Sequence, residues 1–154
     1  MTMPVIEIRP AKHEDIDKIL ALIVDLEIDD QVLDLATAET IFKRMQSYPN
    51  YTIYVAVAEG EIIGTFSLLI MDNLAHMGAP SGIVEDVVVH SSWRGQGIGK
   101  QMMQFAMLQC QKAGCYKMAL SSNLIREQAH KFYDQLGFQR HGYSFIVPMI
   151  VSKL

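Results

Sequence analysis

Residues 83–100 read Ile-Val-Glu-Asp-Val-Val-Val-His-Ser-Ser-Trp-Arg-Gly-Gln-Gly-Ile-Gly-Lys, and this stretch decides the fold. Ile83 to Val89 is apolar apart from Glu85 and Asp86, the pattern of a buried strand. Arg94 to Gly99 is a glycine-rich turn. From Gly97 to Ala113 an apolar-rich run predicts a long helix, and Gly114 is a good residue to stop it. Tyr116 to Leu120 then reads as a further strand. A strand, a turn, a helix and a strand in that order need a crossover, so the two strands lie parallel.

Working outward, Val5 to Arg9 alternates apolar and charged residues and predicts a first strand. Ile16, Ile19, Leu20, Ile23 and Val24 fall at helical spacing within His13–Glu27. Thr37 reads as the N-cap of a second helix carrying Ile41, Phe42 and Met45, ended by Tyr48-Pro49-Asn50. Tyr51 to Ala58 and Ile62 to Met71 are strands joined by the turn Glu59-Gly60-Glu61. Asp72 to Ser81 is a loop. Glu127 to Leu136 is a helix with Ala129, Phe132, Tyr133 and Leu136 on one side, stopped by Gly137. Phe138 to Arg140 and Tyr143 to Val151 are predicted to close the chain as strands. The order βααβββ, turn, αβαββ implies a mixed α/β sheet with helices on both faces, in one domain over residues 1–154.

The turn is the first clue to chemistry. Glycines let backbone approach a ligand, and the helix start offers unpaired N–H groups and a positive dipole end. Together they suit a phosphate or pyrophosphate. A nucleotide P-loop needs Lys followed by Ser or Thr, and here Gln101 follows Lys100. A dinucleotide fingerprint needs Gly-x-Gly-x-x-Gly early in the chain; here the spacing is Gly95-x-Gly97-x-Gly99 and it comes late. The pattern Arg/Gln-x-x-Gly-x-Gly/Ala of coenzyme A loops is met by Arg94, Gly97 and Gly99. The plainer reading is a turn that only needs glycine.

With Val84–Val89, the turn Arg94–Gly99 and Ala129-His-Lys-Phe-Tyr-Asp-Gln-Leu-Gly-Phe138, the chain resembles the GNAT superfamily of acyl-CoA N-acyltransferases over nearly its whole length. Val84–Val89 and Gly114–Lys117 are similar to glucosamine-phosphate N-acetyltransferases. Leu120–Asn123 and Arg126–Tyr133 are similar to aminoalkylphosphonate N-acetyltransferases. The resemblance implies a mostly antiparallel sheet of six to seven strands with a central, splayed parallel pair. It implies acetyl-CoA as donor, with pantetheine between strands ending near Val89 and Leu120. Contacts would come from Val87, Val88 and Val89, from Arg94, Gly95, Gln96, Gly97, Ile98, Gly99 and Lys100, and from Asn123, Arg126 and Tyr133. Many members carry Asn where this chain has Arg126, so Asn123 is the substitute candidate. The family often pairs as dimers through the last strand, and the apolar run Phe145–Val151 suggests a homodimer here.

An amine attacking a thioester must lose a proton and release a thiolate. Tyr133, in Tyr-x-x-x-Gly-Phe, occupies the family's usual place for the acid, although helical spacing alone suggests a packed core tyrosine. The resemblance to the glucosamine-phosphate enzymes, which have the same Glu-Asp pair beside their acceptor pocket, implies Glu85 as the preferred base, with Asp86 or a water path the alternative. Strand alternation would turn Glu85 and Asp86 to opposite faces, and burial would raise a carboxyl pKa toward a useful range. His76, in the loop before the strand, is the remaining acceptor-side candidate. Arg126, Lys131, Arg140 and His141 could pair with a phosphate or phosphonate on the acceptor.

Composition narrows the classes. The net charge is −4, which gives no electrostatic case for nucleic acid or an anionic membrane. No two histidines show metal-ligand spacing, so no metal is expected. Cys110 and Cys115 form neither a disulfide framework nor a zinc spacing, and no base is evident to activate a ping-pong cysteine. Met1-Thr2-Met3 is no targeting signal, and the cytoplasm is the expected compartment. The leading expectation is acetyl transfer to a primary amine of a small molecule by direct transfer. The rivals are a protein N-terminal or lysine acetyltransferase and a non-catalytic acetyl-CoA-binding module.

Overall fold

The computed structural model describes residues 2, 4–27 and 31–149. It divides into two compact units, residues 1–120 and 121–154. In the first unit, β1 (Glu7–Pro10), β2 (Tyr51–Ala58), β3 (Glu61–Met71), β4 (Ser81–Val89) and β5 (Lys117–Ala119) form one sheet in the order β1-β2-β3-β4-β5. The first three pairings are antiparallel and β4–β5 is parallel. Helices α1 (Ile16–Val24), α2 (Leu35–Gln46) and α3 (Ile98–Lys112) complete this unit, and α4 (Glu127–Gln135) belongs to the second.

Side-chain alternation assigns the faces. Phe66 stacks on Tyr54 with ring centroids 5.2 Å apart, and Tyr54 meets Phe105 of α3 edge-on at 5.1 Å. The α3 face is therefore that of Gly64, Phe66 and Leu68. A Cβ on Gly82, across from Ile70, would collide with the Cys110 thiol of α3, so glycine is needed there for close approach. On the opposite face α1 and α2 cover the sheet. Ile16, Ala38 and Phe42 pack with Ile53, and Leu22 and Leu26 pack with Val88.

Helix ends follow local chemistry. Asp34, not Thr37, caps α2: its carboxylate accepts the Thr37 N–H at 2.9 Å and the Thr37 hydroxyl at 2.7 Å. Thr37 therefore sits in the first turn. The stretch His13–Asp15 is a 3-10 turn before α1 rather than α-helix. Both α3 and α4 end in the same backbone motif. Gly114 N–H bonds Gln111 O and Cys115 N–H bonds Cys110 O; Gly137 N–H bonds Asp134 O and Phe138 N–H bonds Tyr133 O.

The expected six to seven strands become five among the described residues. Phe138–Arg140 and residues 143–149 form no strand, and Ile150 and Val151 lie outside the described residues. A run of strand-forming residues becomes a strand only where an edge accepts its hydrogen bonds, and that is a non-local condition. Tyr143, Phe145 and Ile146 are instead 91%, 89% and 87% exposed.

One ion pair ties the start of the chain to α1. Arg9 Nη1 and Nη2 donate to Asp15 at 2.6 and 3.1 Å, and the Lys12 N–H donates to the same carboxylate at 2.7 Å. The Arg9 hydrogen bond holds Asp15 below its ordinary 3.8, against the opposing effect of burial, with the Lys12 N–H assisting. A depressed carboxylate adds stability above its unfolded pKa and loses it as pH falls through the folded value. Asp15→Asn should cost about 2–3 kcal/mol in urea unfolding, less than a fully buried pair because the Arg9 side chain keeps 22% exposure. Wild type should lose this margin below about pH 4, whereas the variant's stability should be flatter there.

Candidate active site

β3 and β4 fall out of step at the centre of the sheet. Thr65 faces Val88 but Ser67 faces Glu85, so Phe66 alone opposes Asp86 and Val87. This is a β-bulge, and Asp86 takes the left-handed conformation it requires, with φ 53°. Aspartate tolerates that region better than most residues. The bulge cancels the alternation expected from sequence. Glu85 and Asp86 are both exposed, so the burial expected to tune a carboxyl is absent.

β4 pairs with β5 only at Ser81–Ile83 against Lys117–Ala119. From Val84 to Val89 this edge of β4 has no strand partner among the described residues. His90 N–H bonds Ile63 O at 2.8 Å, toward β3. Alternation then turns the backbone groups of Val87 and Val89 to the open edge. Arg94 Nε donates to Val89 O at 3.1 Å, so that carbonyl is already engaged. Val88 is buried under α1 and contributes packing on the other side of the strand.

The turn follows directly. Gly95 and Gly97 have φ of 75° and 80°, and Gly97 is the N-cap of α3. The first helical bond runs from Gln101 N–H to Gly97 O at 3.1 Å, so the N–H groups of Ile98, Gly99 and Lys100 precede the helical ladder. Of Ile98 only the backbone is open to a ligand, because the side chain is 1% exposed in the core. Gln96 is exposed, and its side chain bonds Ser92 O at 3.1 Å. Backbone donors, positive-φ glycines and the exposed Arg94 and Lys100 fit a pyrophosphate.

His76 is not brought together with these groups. Its ring stacks on Tyr116 at 3.8 Å, at the end of β4 away from the turn. In the second unit, Tyr133 packs edge-on against Phe132 at 5.1 Å and Phe138 at 5.4 Å. Burial pushes its phenol above the ordinary 10, and the charge of Arg126 acts in the opposite direction. Asn123 is turned into its own loop, with its side-chain oxygen accepting Ile125 N–H at 3.1 Å and its carbonyl 2.8 Å from His130 Nε2. Arg140 is paired with Asp134 through two contacts of 2.8 and 3.2 Å, so its charge is already balanced. Cys110 is buried, and desolvation first, then Cys115, pushes its thiol up to about 12, which leaves no thiolate for a covalent route.

A cavity of about 170 Å³ lies between the α1–α2 layer and the sheet, and sequence reading missed it. Ile19, Ile23, Phe42, Met45 and Ile53 line it, and its polar end is Thr65, Ser67 and Asp86. Thr65 and Ser67, two residues apart within an apolar strand, were the available signal: alternation puts both on one face. Among the described residues, no helix is long and apolar enough to cross a membrane, and no three His, Cys, Asp or Glu residues cluster for a metal.

A family model described as an acetyltransferase (GNAT) domain matches residues 49–140. Aminoalkylphosphonate N-acetyltransferase of Salmonella typhimurium is 34% identical over 146 residues, covering 93% of this chain and 91% of that protein. Glucosamine 6-phosphate N-acetyltransferase of Trypanosoma brucei brucei is 29% identical over 136 residues, covering 88% and 90%. The crystal structure of glucosamine-6-phosphate N-acetyltransferase from Arabidopsis thaliana matches with a TM-score of 0.82 at 26% identity, over 95% of this chain and 99% of that one.

The turn can be probed by comparing Gly97→Ala with Gly97→Asp. Both strain the positive φ, and Asp tolerates it better than Ala. Calorimetric titration with acetyl-CoA should nevertheless show the Asp variant weaker, by about tenfold or more, because the carboxylate opposes the pyrophosphate. Equal affinities in the two variants would remove the turn from the binding site.

Proposed function

The chain belongs to the GNAT acetyltransferase family, and on that premise we propose that it moves the acetyl group of acetyl-CoA to the primary amine of a small molecule, directly within one ternary complex. The observation that carries this reading is the open edge of β4 leading into the Gly97 helix start. An extended amide chain can add to such an edge as a further strand, and a pyrophosphate can end on the helix N–H groups. The two units act as a single domain in this reading, and the family match spans both.

Acetyl-CoA supplies an acetyl group on a thiol leaving group. Val87 and Val89 hold the pantetheine arm, and Arg94 to Lys100 hold the diphosphate. Asn123 and Arg126 are the contacts assigned to the second unit. Glu85 takes the proton that the amine loses as nitrogen bonds to the acetyl carbon, with Asp86 beside it. Tyr133 donates to the sulfur as the carbon–sulfur bond breaks. A phenol held above its ordinary pKa remains a donor across the neutral range, which supports that role.

Relatives named for aminoalkylphosphonate and glucosamine 6-phosphate support an acceptor that carries a phosphonate or phosphate. Lys131, Arg126 and His141 are its candidate partners. The pairing of Arg140 with Asp134 makes that residue the weaker candidate. The exposed apolar side chains of Tyr143, Phe145, Ile146, Val147 and Met149 support a homodimer through this tail.

Tyr133→Phe keeps the ring and its packing, so acetyl-CoA affinity should hold while kcat falls about 10²–10³-fold. A raised pKa means full donor competence below the ordinary value of 10 and loss only as pH climbs through the higher folded value. The wild-type pH profile should therefore keep an alkaline limb above 10 that the variant lacks. Turnover of the variant within about twofold of wild type would remove the acid role. Light scattering at micromolar concentration should give twice the mass of 17.3 kDa, and a monomer would remove the dimer.

A further inference from the structure

A second pocket, of about 240 Å³, opens between the last turn of α2 and the end of the β1–β2 pair. Phe42 and Met45 on α2, Ile53 on β2 and Ala11 after β1 give it apolar walls. It shares Phe42, Met45 and Ile53 with the cavity under α1 and α2, but neither β3 nor β4 contributes to it. It also lies away from the glycine turn. Tyr51 pairs with Leu69 and Leu69 with Ile83, whereas the turn follows Val89, so about six residues, or ~20 Å of strand, separate the two.

β2 has a free edge at this pocket. The Ala11 N–H donates to Ile53 O at 2.8 Å, and the chain then leaves the sheet for the 3-10 turn at His13. Antiparallel alternation turns the N–H and C=O of Tyr51 to the same side as those of Ile53, and no strand faces them there among the described residues. Tyr51 lines the pocket, with its ring stacked on Tyr48 at 6.3 Å. A backbone donor and a backbone acceptor side by side call for an acceptor and a donor side by side on a ligand. Gln46 adds an exposed amide, which offers a second such pair. No charged side chain lines the pocket, so it favours neither an anion nor a cation. An apolar cavity of ~150 Å³ accepts benzene, so this larger one suits a planar ring system of about ten heavy atoms.

We propose that this pocket is a second ligand site, separate from those of the acetyl donor and the amine, for a neutral nitrogen heterocycle with an amino group beside a ring nitrogen, the chemistry of an aminopurine. The ring nitrogen accepts the Tyr51 N–H, the amino group donates to the Tyr51 C=O, and the ring lies among Phe42, Met45 and Ile53. Gln46 serves the remaining edge of the ring. An apolar ligand of the same shape would leave the Tyr51 groups unpaired and lose to water. The site does not rest on the amine-acetylation reading. A free base and the base of a nucleotide share the chemistry, and the test separates them.

Adenine, purine, indole and AMP are titrated against the full chain and followed by amide NMR. Adenine should shift the Tyr51 backbone amide and the Gln46 side-chain amide and leave Gly97 and Gly99 unmoved. Purine, which lacks the amino group, should bind about tenfold more weakly, and indole more weakly still. Saturating acetyl-CoA should change adenine affinity by less than about twofold, since the two sites stand ~20 Å apart. Ala11→Leu fills the pocket and should abolish adenine binding; Gln46→Trp, at an exposed position, closes it from the rim if the first variant fails to fold. AMP binding with the same shifts assigns the site to the nucleotide form, its exclusion assigns the site to the free base, and both keep the proposal. Indole binding as tightly as adenine, adenine competing with acetyl-CoA, adenine failing to bind wild type, or adenine binding undiminished in a folded filled variant overturns it.

Discussion

One extra residue in β4 sets the geometry on which the candidate site depends. With Asp86 and Val87 both opposite Phe66, the strand cannot keep its alternation, and the local bend and twist increase. The Asp86 side chain turns to the α1–α2 face while Phe66 stays against Tyr54 on the α3 face. The same strand pairs with β5 over three residues and then runs on alone to the glycine turn. A regular, fully paired β4 would bury its backbone groups in a ladder and leave nothing for a ligand to meet. Keeping Asp86 in the left-handed region costs backbone energy of order 1–3 kcal/mol, which the flanking pairs Thr65–Val88 and Ser67–Glu85 hold in place.

Two helix ends carry as much information as the site strand. In the motif that closes α4, the residue after the glycine packs back on the residue three before the cap. Here those residues are Phe138 and Tyr133, with rings 5.4 Å apart. The spacing Tyr-x-x-x-Gly-Phe is therefore a folding signal in its own right: it stops the helix at Gly137 and locks the phenol's ring. The core-tyrosine reading and the acid reading are thus compatible, since the same packing that buries the ring raises its pKa. In α3 the equivalent pair is Cys110 and Cys115, which explains two cysteines five apart without a metal, a disulfide framework or a nucleophile.

Much of this was legible from residues alone. The element order as far as α4, the turn Glu59-Gly60-Glu61, the glycine stops at 114 and 137, and the start of α3 at the glycine turn depend on near neighbours, and local chemistry determined each of them. The same holds for the form of the turn Arg94–Gly99, because its positive-φ glycines and the unpaired N–H groups of the helix start arise within six residues. The cap of α2 was misread because Asp34 and Thr37 are both good caps, and only the carboxylate's two bonds to Thr37 decide between them.

What tertiary structure alone decided concerns register and closure. Glu85 and Asp86 were expected on opposite faces, and they are not, because a bulge is specified by how β4 meets Phe66, Thr65 and Ser67 some twenty residues earlier. The apolar run after Tyr143 has every local mark of a strand, yet forms none among the described residues, since no edge pairs with it. The cavity is likewise invisible in any one segment: its walls come from α1, α2 and β2 and its polar end from β3 and β4. The sequence by itself determined most of the elements, the glycine stops of α3 and α4, and the family. Only the packed sheet decided which side chains share a face, because a strand's partner and register are set by contacts far apart along the chain.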